Sequence, residues 1–272
     1  MNIVVVIQAR TGSTRLPGKV LLPLAGAPLL QRMIERVRAA STLFELVVAT
    51  TIASADDPIV ELCRAIGARV YRGHPLDLLD RHYQVGLLNH ADAVVKIPSD
   101  CPLIDPAVID LVLGELIDRQ GSVDYVSNLH PATWPDGQDV EAMTLAALDT
   151  AWREARRPME REHTTPFLWE RPERFRIANA TMPSGENLAM SHRWTVDFPE
   201  DYQFVAAIFD ALHTSGMVFS VDDILSLVRA RPDIAALNAH HAGVNWYRHH
   251  LDELRTIDAT MTRQPASTRG SR

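Results

Sequence analysis

Three short, mostly apolar runs without polar alternation, at residues 2–7, 46–49 and 93–97, recur along the first hundred residues with helix-like segments between them. A strand with no polar alternation is covered on both faces, and strands that alternate with helices build a parallel sheet. The helical pattern is plainest at 28–40, where Leu29, Leu30, Met33, Ile34 and Val37 share one face behind Pro28. It recurs at 106–117, where Val108, Ile109, Val112, Leu113, Leu116 and Ile117 keep helical spacing. Helices at 56–66, with Gly67 as C-cap, and at 77–89, with short strands at 69–71 and 125–127, complete the rhythm. The expectation is an α/β fold, a mostly parallel sheet with helices on both faces. Such sheets bind ligands beyond the C-terminal ends of their strands.

After Ser127 the rhythm breaks. Residues 128–140 are rich in turn formers, followed by expected helices at 143–155 and 160–169 and a strand pair near 174–181 and 191–197. Pro199 opens a helix to about residue 212, and another covers 221–229. Residues 262–272 contain no apolar side chain larger than Ala or Pro and read as a disordered tail.

With 46% hydrophobic residues the chain can fill a core, and its net charge of −7 argues against a nucleic-acid partner. Only two of the 27 basic residues are lysines, Lys19 and Lys96. Residues 1–40 hold six cations against Glu35 alone, so this segment is +5 and the remainder −12. The first apolar run lacks a basic flank and stops in polar residues, unlike a signal peptide, and no run approaches the ~20 apolar residues of a membrane span. Cys63 and Cys101 form no CxxC pair and suit small buried hydrophobes in a cytoplasmic protein.

The segment between the first strand and the first helix reads Gln8-Ala9-Arg10-Thr11-Gly12-Ser13-Thr14-Arg15-Leu16-Pro17-Gly18-Lys19. Three cations and a glycine-bearing backbone at the ligand edge suit a phosphate chain. The pattern is neither GxxxxGK[ST] nor GxGxxG, and a surface loop with solvated cations is the plainer alternative. Asp100 follows the 93–97 strand, where an unpaired carboxylate suits Mg²⁺. Asp105, just before Pro106, reads as a helix N-cap. Asp197 follows an expected strand and precedes a helix, either as a cap or as a second metal carboxylate.

The ordered blocks QARTGSTRLPGKVL (8–21), GHPLDLLDRHY (73–83), SDCPLIDP (99–106), PDGQDVE (135–141), REHTTP (161–166) and RWTVDFPED (193–201) carry a resemblance. The chain resembles the cytidylyltransferases of spore-coat polysaccharide biosynthesis, related to the synthetases of CMP-activated acidic sugars. The resemblance implies a nucleotide-diphospho-sugar transferase (GT-A-like) fold over 1–230. An acceptor and dimerisation lobe would occupy 128–192, with a helical extension at 231–261. It implies transfer of CMP from CTP to a sugar or sugar acid with Mg²⁺, by a homodimer. Ala9, Arg10, Gly12, Ser13, Arg15 and Lys19 would bind the triphosphate. Asp100 and Asp197 would hold the metal, and Asp80 and Arg81 would lie near the base or a neighbouring subunit. Asp139, Glu141, Glu162 and His163 would face the acceptor. His163 is either a base or a satisfied structural residue. The chain departs from the pattern at Lys96 and at Ile97-Pro98-Ser99, where relatives carry Arg and then Ile-Thr and a small residue. Two other functions fit part of the pattern, a glycosyltransferase using a nucleotide sugar and a non-catalytic nucleotide-binding subunit. Replacing Lys19 is expected to slow catalysis with little effect on folding. His240, His241, His249 and His250 read as surface residues.

Overall fold

The computed structural model describes residues 1–263; the remainder of the expected tail, 264–272, lies outside the described residues. Its strands are β1 (Ile3–Gln8), β2 (Pro23–Leu24), β3 (Ala27–Pro28), β4 (Glu45–Thr51), β5 (Arg69–Gly73), β6 (Ala93–Pro98), β7 (Tyr125–Ser127), β8 (Glu141–Thr144) and β9 (Ile177–Asn179). Seven of them form one sheet in the order β5-β4-β1-β6-β8-β7-β9, and β2 and β3 make a small separate hairpin. Within the main sheet only β8 runs antiparallel, against both β6 and β7.

β1 lies inside the sheet, and its alternate side chains enter two cores. Ile3, Val5 and Ile7 pack with α1 (Leu29–Arg38), α4 (Pro106–Asp118) and α8 (Pro199–Leu212). Val4 and Val6 point the other way, toward α3 (Leu78–Leu88) and α5 (Leu145–Glu154). The periphery is completed by α2 (Asp57–Ala65), α6 (Pro158–His163), α7 (Pro166–Trp169), α9 (Val221–Ala230) and α10 (Pro232–Ala236). Asp105 caps α4, accepting from Ala107 N at 2.9 Å, and its second oxygen accepts from Val221 N at 2.6 Å. Gly67 closes α2 at φ +62°.

Several expectations change. The helix expected from 143 starts at Leu145, because residues 141–144 pair with β6 and β7 as β8. The helix expected over 160–169 divides at Thr164, whose φ of +73° breaks the helical path between α6 and α7. Of the expected strand pair only Ile177–Asn179 forms. Residues 191–197 are irregular, with Trp194 N donating to Asp136 O and Val196 N to Asp100 O instead of joining a ladder. Pro28 is the N-cap of α1, with extended dihedrals, rather than its first turn. The expected tail starts too early: Thr262 is buried, its hydroxyl accepting from Asn245 N, and Arg263 N donates to Gly243 O. Residues 128–192 carry β8 and β9 into the central sheet, while 231–261 contain one five-residue helix and 3-10 turns.

Candidate active site

The loop after β1 folds back on itself. Asp56 holds its near end by accepting from Thr11 N at 2.7 Å and from Thr11 Oγ1 at 2.8 Å. Ser13 N and Gly18 N both donate to Thr11 O, and Gly18 turns at φ +69°. That left-handed turn suits glycine and returns the chain so that Lys19 points into the molecule. Gly12, in contrast, is exposed, needs no positive φ and lies away from the cavity walls.

Lys19 is only 8% exposed. Its Nζ donates to Asp100 Oδ2 at 3.0 Å, Asp197 Oδ1 at 3.0 Å and Val196 O at 2.6 Å. The two carboxylates expected to share a metal therefore flank one ammonium. Arg15 adds a second cation to Asp197 Oδ1 at 2.7 Å. Burial pushes the Asp197 carboxyl up, but Lys19 and Arg15 more than offset this and hold it well below the usual range. Burial likewise lowers Lys19, and the two aspartates overcome it, so its pKa ends raised. Arg193 secures the pair from behind through Asp136 (3.0 Å), Asp197 (3.3 Å) and Asp201 (2.9 Å), and donates to Val244 O (2.9 Å).

Two adjoining cavities open here. The smaller, about 470 Å³, is walled by the loop, including Ala9, Arg10, Ser13, Arg15 and Lys19, and by Arg81. The larger, about 770 Å³, runs past Asp139, Glu141, Trp134, Trp169 and Tyr247. Asp100 and Asp197 border both, so the carboxylate pair stands at their junction. Glu141 is buried and tied to Lys96 Nζ at 2.6 Å and Tyr125 Oη at 2.6 Å. Burial, with Asp100 and Glu141 nearby, pushes Asp139 up to about 7 against a lowering bond from Gly137 N.

Most of the sequence-derived set thus converges. Arg10, Ser13, Arg15, Lys19, Arg81, Asp100 and Asp197 meet at the smaller cavity, and Asp139 and Glu141 at the larger; of the other two residues expected on the acceptor side, His163 borders both cavities, whereas Glu162 lines only the smaller, loop-walled one. Asp80 does not join them, since it accepts from Trp152 Nε1 at 2.8 Å and from Gln84. The cation-rich first forty residues also divide. Arg10, Arg15 and Lys19 face the cavity, whereas Arg32, Arg36 and Arg38 donate to backbone carbonyls. His163 stacks on Trp246 at 3.7 Å between ring centroids, and burial pushes its pKa down to about 3. The ring is thus held neutral and weakly basic in the wall of both cavities.

Sequence reasoning missed the C-terminal wall. Trp246 borders both cavities; His250, expected on the surface, is half-buried in the wall of the smaller, and His249, exposed as expected, stands at its edge. The only hint was the aromatic and basic cluster Trp246-Tyr247-Arg248-His249-His250. Arg81 proved more specific than expected: it is 1% exposed, and its Nε and Nη1 have no partner among the described residues.

The cavity opens at the C-terminal edge of the parallel strands, where α/β sheets bind their ligands, with a lysine between two aspartates in its wall. The family model for cytidylyltransferases matches residues 4–220, so the chain belongs to the cytidylyltransferase family and is a nucleotidyltransferase. It is 32% identical over 238 residues to the spore coat polysaccharide biosynthesis protein SpsF of Bacillus subtilis, covering 86% of this chain and 97% of that one. Over 122 residues it is 40% identical to a 3-deoxy-manno-octulosonate cytidylyltransferase of Geobacter sulfurreducens, covering 44% of this chain and 47% of the relative. A cytidylyltransferase structure from Leptospira borgpetersenii superposes with a TM-score of 0.81 at 32% identity, covering 86% and 97% of the two chains.

Proposed function

We propose that this enzyme transfers CMP from CTP to an oxygen of a sugar or sugar acid, with Mg²⁺, in surface polysaccharide or glycan assembly. One observation carries the reading. Lys19 Nζ sits between Asp100 and Asp197 where the cavity walled by Arg10 and Arg15 meets the larger one. The triphosphate would follow the loop in the smaller cavity, the acceptor would fill the larger, and the reacting phosphate would stand at the carboxylates.

The donor set fits a hard divalent cation, because two carboxylate oxygens already converge within 3.0 Å of a single positive centre. Asp100 and Asp197 would hold it, and it would neutralise phosphate charge as the α-phosphate is attacked. The chain's own residues do the remainder. Arg10, Arg15 and Lys19 stabilise the departing pyrophosphate. Arg81, a buried guanidinium behind the wall of the same cavity, contributes positive charge toward the nucleotide. Asp139 and Glu141 position acceptor hydroxyls. His163 holds Trp246 in the wall and, with its pKa near 3, stays neutral at physiological pH. A cytoplasmic location, where CTP is supplied, and a homodimer belong to the same proposal. No helix of the described residues is long and apolar enough to cross a membrane.

The test is a matrix of four nucleoside triphosphates against acidic, amino and phosphorylated sugars, read by pyrophosphate release. CTP with at least one acceptor should give pyrophosphate and a CMP-sugar. Consumption of a nucleotide sugar without pyrophosphate would establish the glycosyltransferase instead. Tight CTP binding without turnover on any acceptor would establish a non-catalytic subunit.

A further inference from the structure

Four Lys and Arg side chains line the larger cavity, and three are already neutralised. Lys96 pairs with Glu141 at 2.6 Å, Arg15 with Asp197 at 2.7 Å, and Arg193 with Asp136, Asp197 and Asp201. The fourth, Arg248, pairs with no carboxylate among the described residues. Its Nη1 donates only to the carbonyl of Asn245, three residues back in its own turn, at 2.7 Å. A guanidinium offers five donors, so most of this one is unspent.

Arg248 is also held in place. Its backbone lies in the 3-10 turn Trp246–His249, opened by Asn245, whose side chain accepts from Tyr247 N at 3.2 Å. Tyr247 is 7% exposed and packs edge-on to Trp169, while Trp246 stacks on His163. Thr262 Oγ1 accepts from Asn245 N at 3.1 Å and fastens the turn to the end of the described chain. Such a preorganised cation binds an anion without the ordering cost of a free arginine side chain. Burial, then the neighbouring Arg15 and Arg193, push the Arg248 pKa down, while Asp197 pushes it up.

We propose that Arg248 binds an oxyanion, carboxylate or phosphate, carried by the acceptor in the larger cavity, and so selects anionic acceptors over neutral ones. The proposal rests on the reading of the larger cavity as the acceptor site. It assigns the selection to a residue beyond the 4–220 span that the family model matches. Arg248 borders the larger cavity but not the smaller, loop-walled one, so the acceptor rather than the triphosphate is its partner.

The experiment compares wild type, Arg248→Gln and Arg248→Lys with matched acceptors: sugar acids beside their methyl esters, and sugar phosphates beside the unphosphorylated sugars. Pyrophosphate release gives kcat and KM, and calorimetry in the presence of a non-hydrolysable CTP analogue gives binding without turnover. Wild type should prefer the anionic member of a pair. Arg248→Gln should weaken that member about tenfold or more, spare the neutral one and the nucleotide, and leave kcat nearly unchanged. Arg248→Lys should recover part of the loss. Whichever anionic series responds, acid or phosphate, identifies the source of the oxyanion. Equal binding of charged and neutral members, a loss shared by both, a loss that falls on the nucleotide, or no binding by any anionic member overturns the proposal. Selective anion binding without pyrophosphate release would sustain Arg248 while refuting the transferase reaction; release with neutral acceptors alone would do the opposite.

Discussion

Replacing Lys19 by methionine keeps an unbranched side chain one atom shorter and removes its charge and its three hydrogen bonds. Those bonds run to two carboxylates and a carbonyl from a side chain that is 10% exposed. Bonds involving a charged group contribute ~1.5–3 kcal/mol each. The loss is smaller than three times that, because Asp197 keeps Arg15 and Arg193, and the Asp100 and Asp197 side chains retain 29% and 20% exposure. A net cost of ~2–4 kcal/mol is expected, a fall in Tm on the order of 5–10 °C for a chain of this size. The expectation of a nearly undisturbed fold, natural for a loop lysine, therefore gives way to one of clear destabilisation. Removing the ammonium also leaves the two carboxylates mutually repelling and open to Mg²⁺. Occupancy at a hundred times Kd would return about 2.7 kcal/mol. Thermal melts of the nucleotide-free protein across a Mg²⁺ titration check this: Lys19→Met should regain most of its lost Tm, and wild type should gain much less. A mutant whose Tm ignores Mg²⁺, or a wild type that gains equally, would refute the shared-site argument. Pyrophosphate release by the mutant should fall on the order of a hundredfold.

Burial holds His82 and His163 down to about 3 and His130 to about 4, from an ordinary 6.5. Below pH 6.5 the unfolded chain binds protons at these rings that the folded chain does not, each costing up to ~1.4 kcal/mol per pH unit. Asp139, raised by burial to about 7, and the raised Asp136 act in the opposite direction, because there the folded chain binds the proton. Replacing the three rings together by Gln should therefore reduce the loss of stability, read as urea midpoints, between pH 6.5 and 5; a wild type and triple variant with the same slope would contradict the burial argument. Arg81→Met should raise the KM for CTP about tenfold while leaving the Tm of the nucleotide-free protein unchanged or higher, because the unpartnered Nε and Nη1 are a cost there. Asp105→Ala removes acceptors from two backbone amides and should lower stability by ~2–3 kcal/mol without altering KM, as urea unfolding and steady-state kinetics would show. Gly137→Ala should yield little folded protein on expression, since φ is +112° and a Cβ would lie 2.6 Å from Thr195 N.

The parallel half of the sheet was legible because β1, β4 and β6 each hold consecutive apolar residues, which place apolar side chains on both faces as a covered strand does. β8 was hidden because its first residue, Glu141, is a charge buried by pairing with Lys96, forty-five residues away in the sequence. Residues 191–197 mimic a strand in composition, yet Arg193 spends its side chain on Asp136, Asp197 and Asp201 and the backbone follows those anchors. For the site, the residue types that follow β1 and β6 pointed to Arg10, Lys19 and Asp100, and the structure brings them to one cavity; Asp197 borders it too, although the strand expected before it does not form. The C-terminal wall gave no such signal, because Trp246 reaches the site through its stack on His163 and not through any nearby strand.

Arg193 touches four places that the chain visits far apart: Asp136, the 197–201 turn, Val244 and, through its own carbonyl, Asn238. It works as a rivet through which several excursions of the chain begin and end. The stretches 137–192 and 202–237 leave from that point and come back to it. Loops within them can lengthen or shorten over generations while the rivet keeps Asp197 in position, so insertions in these loops are the changes such an enzyme should absorb most readily.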